Sequence, residues 1–286
     1  MNELARSIMT IGCSDCESIP KCSQAGQTIS SSHGEVQIMH NGLLVKAGGY
    51  HGDWMAQVIR SLKGHHEPQE ELLFHHILKY VRHRSLIVEL GSFWAYYSLW
   101  YLREIPYSTA VCIEPDPRNM KIGQHNAHIN DLSDRVTFVE ASVGRRNLSR
   151  HELISDSDGS PLERPCMNMD AISALSDGRP IELLHLDVQG AELEVISSIE
   201  DLSQNKPIRF VFVSTHHQSI SGSSQTHLDC VSKLKDLGAN ILTEHSVQES
   251  FSGDGLIVAS FFEEDRAINL PTISRNSAPM SLFPDQ

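Results

Sequence analysis

The strongest constraint on this chain is a series of short strand-like runs, most ending on a polar or acidic residue, with helix-length segments between most of them. The runs are SLIVEL (85–90), TAVCIE (109–114), RVTFVE (135–140), IELLHLD (181–187) and IRFVFVS (208–214). Helical spacing fills 95–103, 116–130, 191–199 and 225–237, and two late strands are expected near 240–244 and 255–262. Strands that alternate with helices read as an α/β fold: a mostly parallel, twisted sheet with helices on both faces. Such sheets bind ligands beyond the carboxyl ends of their strands. The residues that close each run therefore carry most of the functional information.

The flanking segments are read separately. Residues 1–34 are rich in Ser, Gly and Cys and lack periodicity, so they are expected to be a flexible leader. Cys13, Cys16, Cys22 and His33 could together ligate zinc, but incidental thiols explain them as well. In 35–66, Asn41-Gly42 between two apolar runs predicts a two-residue hairpin turn, followed by a lead-in. Pro68 opens a helix carrying Leu73, Ile77 and Val81, and the main domain is expected over 67–262. Residues 144–167 read as a loop or inserted element, and 263–286 as a tail.

Composition narrows the function. A net charge of −13 disfavours a nucleic-acid surface, and no apolar run is long enough to span a membrane. The N-terminus shows no export signal, so a cytoplasmic protein with reduced thiols is expected. A 40% hydrophobic content is enough to build a core.

Five strand ends are candidate site positions. Glu89-Leu90-Gly91-Ser92 is an acidic-x-Gly turn, but the later glycines of a dinucleotide fingerprint are missing. Glu114 lies 25 residues beyond Glu89, where a carboxylate can accept from ribose hydroxyls; it could instead be a helix N-terminal acid. Ser142 sits among small residues able to line a flat base. Asp187 closes its strand before Gly190 and could face the cleft, cap a helix, or both. His216, after the next strand, could act as general base beside Asp187. Asp187, His216 and His217 could alternatively hold a metal, but they form no compact signature and no metal is expected.

Together, VELGSFWAYYSLWYL, CIEPDPRNMKIGQHNAHIN and LHLDVQGAELEVI resemble the signature blocks of FkbM-type methyltransferases, from roughly Glu67 to Phe262. The resemblance implies a Rossmann-like class I methyltransferase fold and S-adenosylmethionine as cofactor. It also implies O-methylation of a sugar, glycoconjugate or secondary-metabolite hydroxyl. It places Glu89, Gly91 and Ser92 in the methionine-binding turn, Glu114 on the ribose, Ser142 beside the adenine, and Asp187 in the family's Asp-x-Glu-Gly block. Where relatives commonly carry Lys and Glu, this chain has His185 and Gln189. Trp94 or Tyr96 could stabilise the sulfonium. Methylation at nitrogen or carbon and a nucleotide-dependent oxidoreductase are the alternatives. The expected partner is a small molecule or glycan, not nucleic acid. Among these residues, His216 is the expected base and Asp187 its partner or an acceptor-positioning group.

Overall fold

The computed structural model describes residues 2–202 and 208–283, so the last three residues of the expected tail lie outside the described residues. Residues 2–34, expected as a flexible leader, are tied into the fold by a helix cap and long-range bonds. Asn2 caps helix α1 (Glu3–Ile11) by accepting from the Leu4 and Ala5 N–H groups. Helix α1 packs on α2 (Asp53–Ser61), and buried Thr10 donates its hydroxyl to the Phe251 carbonyl at 2.8 Å. Asp15 accepts from the Ser274 N–H at 2.8 Å. The polar residues that resemble disorder in sequence are thus spent on bonds to distant segments, which no local periodicity announces. Cys13 and Cys16 are buried, free thiols, and Cys22 is exposed.

Strands β1 (Thr28–Ser31), β2 (Gly34–Ile38) and β3 (Leu44–Lys46) form a small antiparallel sheet. Asn41-Gly42 does reverse the chain, but within a longer loop than expected. Ile38 pairs with Leu44, and the Met39 N–H donates to the Leu43 carbonyl at 2.8 Å, leaving residues 40–42 in the loop. Within that loop Gly42 alone takes a left-handed φ (84°), so a mirror-image two-residue turn is not formed.

The core domain follows as α3 (Pro68–Ile77), β4 (Leu86–Leu90), α4 (Tyr96–Glu104), β5 (Thr109–Ile113), α5 (Pro117–Ile129) and β6 (Val136–Val139). Strands β7 (Ser142–Val143), β8 (Leu148–Ile154) and β9 (Pro161–Met167) then form a second small sheet, so 144–167 contains an inserted hairpin. The chain returns through α6 (Met169–Ala174), β10 (Ile181–Leu186), α7 (Glu192–Ser198), β11 (Ile208–Thr215), α8 (Gln218–Ser221), α9 (Thr226–Asp236), β12 (Asn240–His245) and β13 (Gly255–Ser260).

The main sheet has seven strands in the order β12-β13-β11-β10-β4-β5-β6. Strand β13 is antiparallel to both its neighbours, and the pairs from β11 to β6 are parallel. Successive strand residues face opposite sides. Ile87, Leu183 and Phe212 pack with Phe74 of α3, Trp100 of α4 and Ala127 of α5. Val88, Leu184 and Val213 pack with Ile172 of α6, Ile196 of α7 and Leu234 of α9. Among the described residues no helix is long and apolar enough to cross a membrane.

Two asparagines of α5 fix the N-terminal layer to this domain. Asn130 accepts from the Leu44 N–H at 2.9 Å and donates to the Leu44 carbonyl at 2.7 Å. Asn126 accepts from the Lys46 N–H at 2.8 Å and donates to the Trp94 carbonyl at 3.0 Å. Each such neutral bond contributes about 0.5–1.5 kcal/mol, and leaving one end buried and unpaired costs more.

Candidate active site

Strand register builds the site. Leu90 pairs with Ile113 on one side and Leu186 on the other, so Gly91, Glu114 and Asp187 stand one residue beyond the same edge. At Gly91 the backbones nearly touch: a Cβ there would lie 1.7 Å from the Asp187 carbonyl oxygen, and φ is 73°. Gly is required by both observations. Phe93 and Ala95 also take left-handed φ, at 39° and 59°. The missing glycines therefore leave the sharp turn in place, with strained ordinary residues holding it.

Glu114 is buried and braces that turn. Its Oε2 accepts from the Phe93 N–H at 3.0 Å and its Oε1 from the Asp116 N–H at 2.9 Å. Burial pushes its carboxyl up to about 7. Glu89 accepts from the Ser98 N–H at 2.9 Å, and burial raises it also. Ser92 is buried, and its hydroxyl has no partner among the described residues. Ser142 Oγ lies 2.9 Å from His151 Nδ1 of β8, so its hydroxyl also holds the inserted hairpin.

These residues line one cavity of about 480 Å³ at the carboxyl edge of the sheet. Glu114, Ser142 and Leu162 line it, as do Glu67, Trp94 and Tyr97. Its wall includes the carboxylates of Glu67, Glu89, Glu114, Asp116, Asp156 and Asp187, but no Lys or Arg among the described residues. Tyr96 does not face this space as expected. It is fully buried, and its hydroxyl donates to Glu71 at 3.2 Å.

Asp187 and His216 do come together, with Oδ1 and Nε2 3.2 Å apart. Asp187 lines the cavity with its side chain 29% exposed, whereas His216 is 1% exposed and lies behind it. His216 Nδ1 is 2.6 Å from Glu192, and Nε2 is 3.7 Å from Asp254, which also pairs with Arg6 at 3.2 Å. Burial lowers the His216 pKa, but Asp254, Asp187 and Glu192 outweigh it and hold the ring well above the ordinary imidazole range. Its Nε2 also lies 2.9 Å from Gln189 Nε2. Burial raises the Asp187 pKa, but the bond from His216 more than offsets this and keeps the carboxyl ionised.

His217 is turned away: its Nδ1 lies 2.9 Å from Ser219 Oγ and its ring stacks on Phe283. The Asp187, His216 and His217 set is thus not assembled. Among the described residues, His40, His65 and Glu71 form a tight group with metal-ligating atoms. Glu71 already accepts from the His66 and Glu67 N–H groups, the Tyr96 hydroxyl and His65, so hydrogen bonding accounts for it.

Sequence reasoning missed His66, Glu67 and Tyr97 on the cavity wall, and it noted His185 only as a departure from the relatives. His185 Nε2 lies 2.6 Å from Glu70, and its ring stacks on Tyr97 at 4.3 Å. The dense His and Glu run HHEPQEE just before and within the first turn of α3 was the available signal.

Comparison with known proteins identifies the family. A curated relative named "Putative methyltransferase", from Jannaschia sp. (strain CCS1), is 35% identical over 71 residues. The match covers 24% of this chain and 24% of the relative, about a quarter of each. Among solved structures, one named "putative rRNA-methylase", from Clostridium thermocellum, has a TM-score of 0.47 at 8% identity, covering 67% of this chain and 94% of that one. TrmK of M. capricolum, solved with S-adenosyl-homocysteine, has a TM-score of 0.43 at 11% identity, covering 72% and 75%. These distant likenesses do not bear on the acceptor. The methyltransferase FkbM domain matches residues 87–241, more than half of the sequence, and the chain belongs to this family of S-adenosylmethionine-dependent methyltransferases.

Proposed function

We propose that the protein methylates a hydroxyl oxygen on an uncharged sugar, glycoconjugate or secondary metabolite. The observation that carries this reading is the cavity wall at Asp187: an ionised carboxylate facing a space lined, among the described residues, by no Lys or Arg. A phosphate or carboxylate acceptor placed against Asp187 would meet repulsion from it, and His66, the cationic group of the same wall, is already paired with Glu67.

The residues fit the cofactor. Glu114 spends each oxygen on one backbone N–H and keeps lone pairs for two ribose hydroxyls. The partnerless Ser92 hydroxyl offers a further polar contact. S-adenosylmethionine supplies an electrophilic methyl group and carries no pyrophosphate, so the absent glycines are no obstacle. Asp187 accepts the hydrogen bond of the acceptor hydroxyl and aims its lone pair. As that oxygen loses electron density its proton becomes acidic enough to pass to an Asp187 Oδ. His216, clamped by Glu192, holds Asp187 in place.

The test is transfer from methyl-labelled S-adenosylmethionine to pooled neutral glycosides, with matched amines and glycoside phosphates alongside. Base-stable label on neutral hydroxyl acceptors is expected. Label confined to amines or phosphorylated acceptors would sink the reading.

A pH dependence follows from Glu114. Ribose hydroxyls donate to its ionised form, so binding is linked to proton loss. With its pKa at about 7, affinity for S-adenosylhomocysteine is expected to rise about tenfold from about pH 6 to about pH 8, and to be flat in Glu114→Gln. The ligand-free protein has the opposite trend from this group. Because the folded value lies above the ordinary 4.5, its stabilising contribution is full below 4.5 and is lost as pH rises through about 7. Calorimetry across this range checks the affinity; a flat parental profile would rule out Glu114 as the ribose contact.

A further inference from the structure

The family match begins at residue 87, yet part of the cavity wall comes from the segment before α3. Glu67 immediately precedes Pro68 at the N-terminus of that helix and is 7% exposed. Its Oε2 accepts from the Tyr97 hydroxyl at 2.9 Å and lies 3.2 Å from His66 Nε2. Its Oε1 has no protein donor among the described residues, although the residue lines the cavity.

A carboxylate fixed through one oxygen, with the other open to a ligand space, is a receptor for a cation. Its neighbours keep it charged. Burial pushes Glu67 up, but His66 more than reverses this. His66 is lowered by burial yet raised by Glu67 and Glu71 to about 10, so it stays an imidazolium. Glu89, the other carboxylate near the Gly91 turn, is a weaker candidate: burial drives it toward the neutral acid, and one oxygen is spent on Ser98. Tyr97 stands in the first turn of α4, directly after the Gly91 turn, so its bond ties Glu67 to the element expected to hold the methionyl end of the cofactor.

We propose that Glu67 binds the α-ammonium group of the methionyl end of S-adenosylmethionine, with Tyr97 and His66 as its positioning residues. This rests on the cofactor reading of the site, and it makes the N-terminal layer part of the cofactor pocket. A neutral group at Glu67 would lose a charge-assisted hydrogen bond to an ammonium, while the adenosine half of the ligand would be unaffected.

Two ligands separate these halves: S-adenosylhomocysteine, which carries the amino-acid end, and 5′-methylthioadenosine, which lacks it. Binding of both is measured by calorimetry on the parent and on Glu67→Gln. The variant is expected to lose about 10- to 100-fold in affinity for S-adenosylhomocysteine and to keep its affinity for 5′-methylthioadenosine within about threefold. Tyr97→Phe, which leaves the His66 pair intact, is expected to show a smaller loss with the same selectivity. Unchanged S-adenosylhomocysteine binding in Glu67→Gln would overturn the proposal. So would an equal loss of both ligands, which would make Glu67 a structural residue. A parent that binds neither ligand would overturn the cofactor reading itself.

Discussion

Asp187→Asn is expected to lower the rate of methyl transfer by about 10²–10⁴-fold while leaving S-adenosylhomocysteine affinity within about threefold of the parent. The amide keeps the volume of the carboxylate and can still accept a hydrogen bond from His216, so the fold has little reason to respond. What it loses is the ability to take a proton at an Oδ facing the cavity. Asp187 is the member of the charged group with that exposure: Glu192 and His216 are almost fully buried, and Asp254 lies behind, paired with Arg6. Single-turnover rates with the acceptor found in the labelled survey are the measurement. A parental rate in Asp187→Asn, together with a loss of similar size in His216→Gln, would restore His216 as the base.

Gly91→Ala is expected to destabilise the protein by about 3 kcal/mol or more. Two costs combine. The added methyl group would sit 1.7 Å from the Asp187 carbonyl oxygen and 2.7 Å from its carbonyl carbon, both backbone atoms that cannot swing aside. Forcing such an overlap costs about 1–3 kcal/mol even where cores relax, and an ordinary residue at φ 73° adds about 1 kcal/mol. Relief requires β4 and β10 to part at the edge where the ligand binds, so cofactor affinity should fall with stability. Urea unfolding reads the first effect and calorimetry the second. A variant within about 0.5 kcal/mol of the parent would mean that the two strand ends are farther apart than described here.

The parts of the site that were legible in sequence are those in which one residue closes one strand. Glu114 and Asp187 each end an apolar run, and parallel register carries such ends to a common edge without further information. The His216 environment was not legible, because Glu192, Asp187 and Asp254 reach it from three separate elements, and their summed charge decides its protonation. Glu67 was missed for a related reason. Before the fold is known, a carboxylate beside Pro68 looks like an ordinary acid at a helix start. At the N-terminus the failure was of another kind: side-chain bonds such as Thr10 to Phe251 and Asp15 to Ser274 link positions more than 240 residues apart. The Asn41-Gly42 signal located the reversal but not the loop length, which the pairing of β2 with β3 sets.

The strand order has a consequence for biosynthesis. Strand β13 is the last strand among the described residues, yet it lies inside the sheet, between β11 and β12. Until Gly255–Ser260 leaves the ribosome, the edge of β11 has no partner, and its fully buried residues from Ile208 to Thr215 have no cover on that side. A nascent chain paused before this point exposes an apolar, unpaired strand edge, the kind of surface that recruits other chains. Release from that hazard comes in one late step, when β13 inserts antiparallel between two waiting neighbours and completes the sheet.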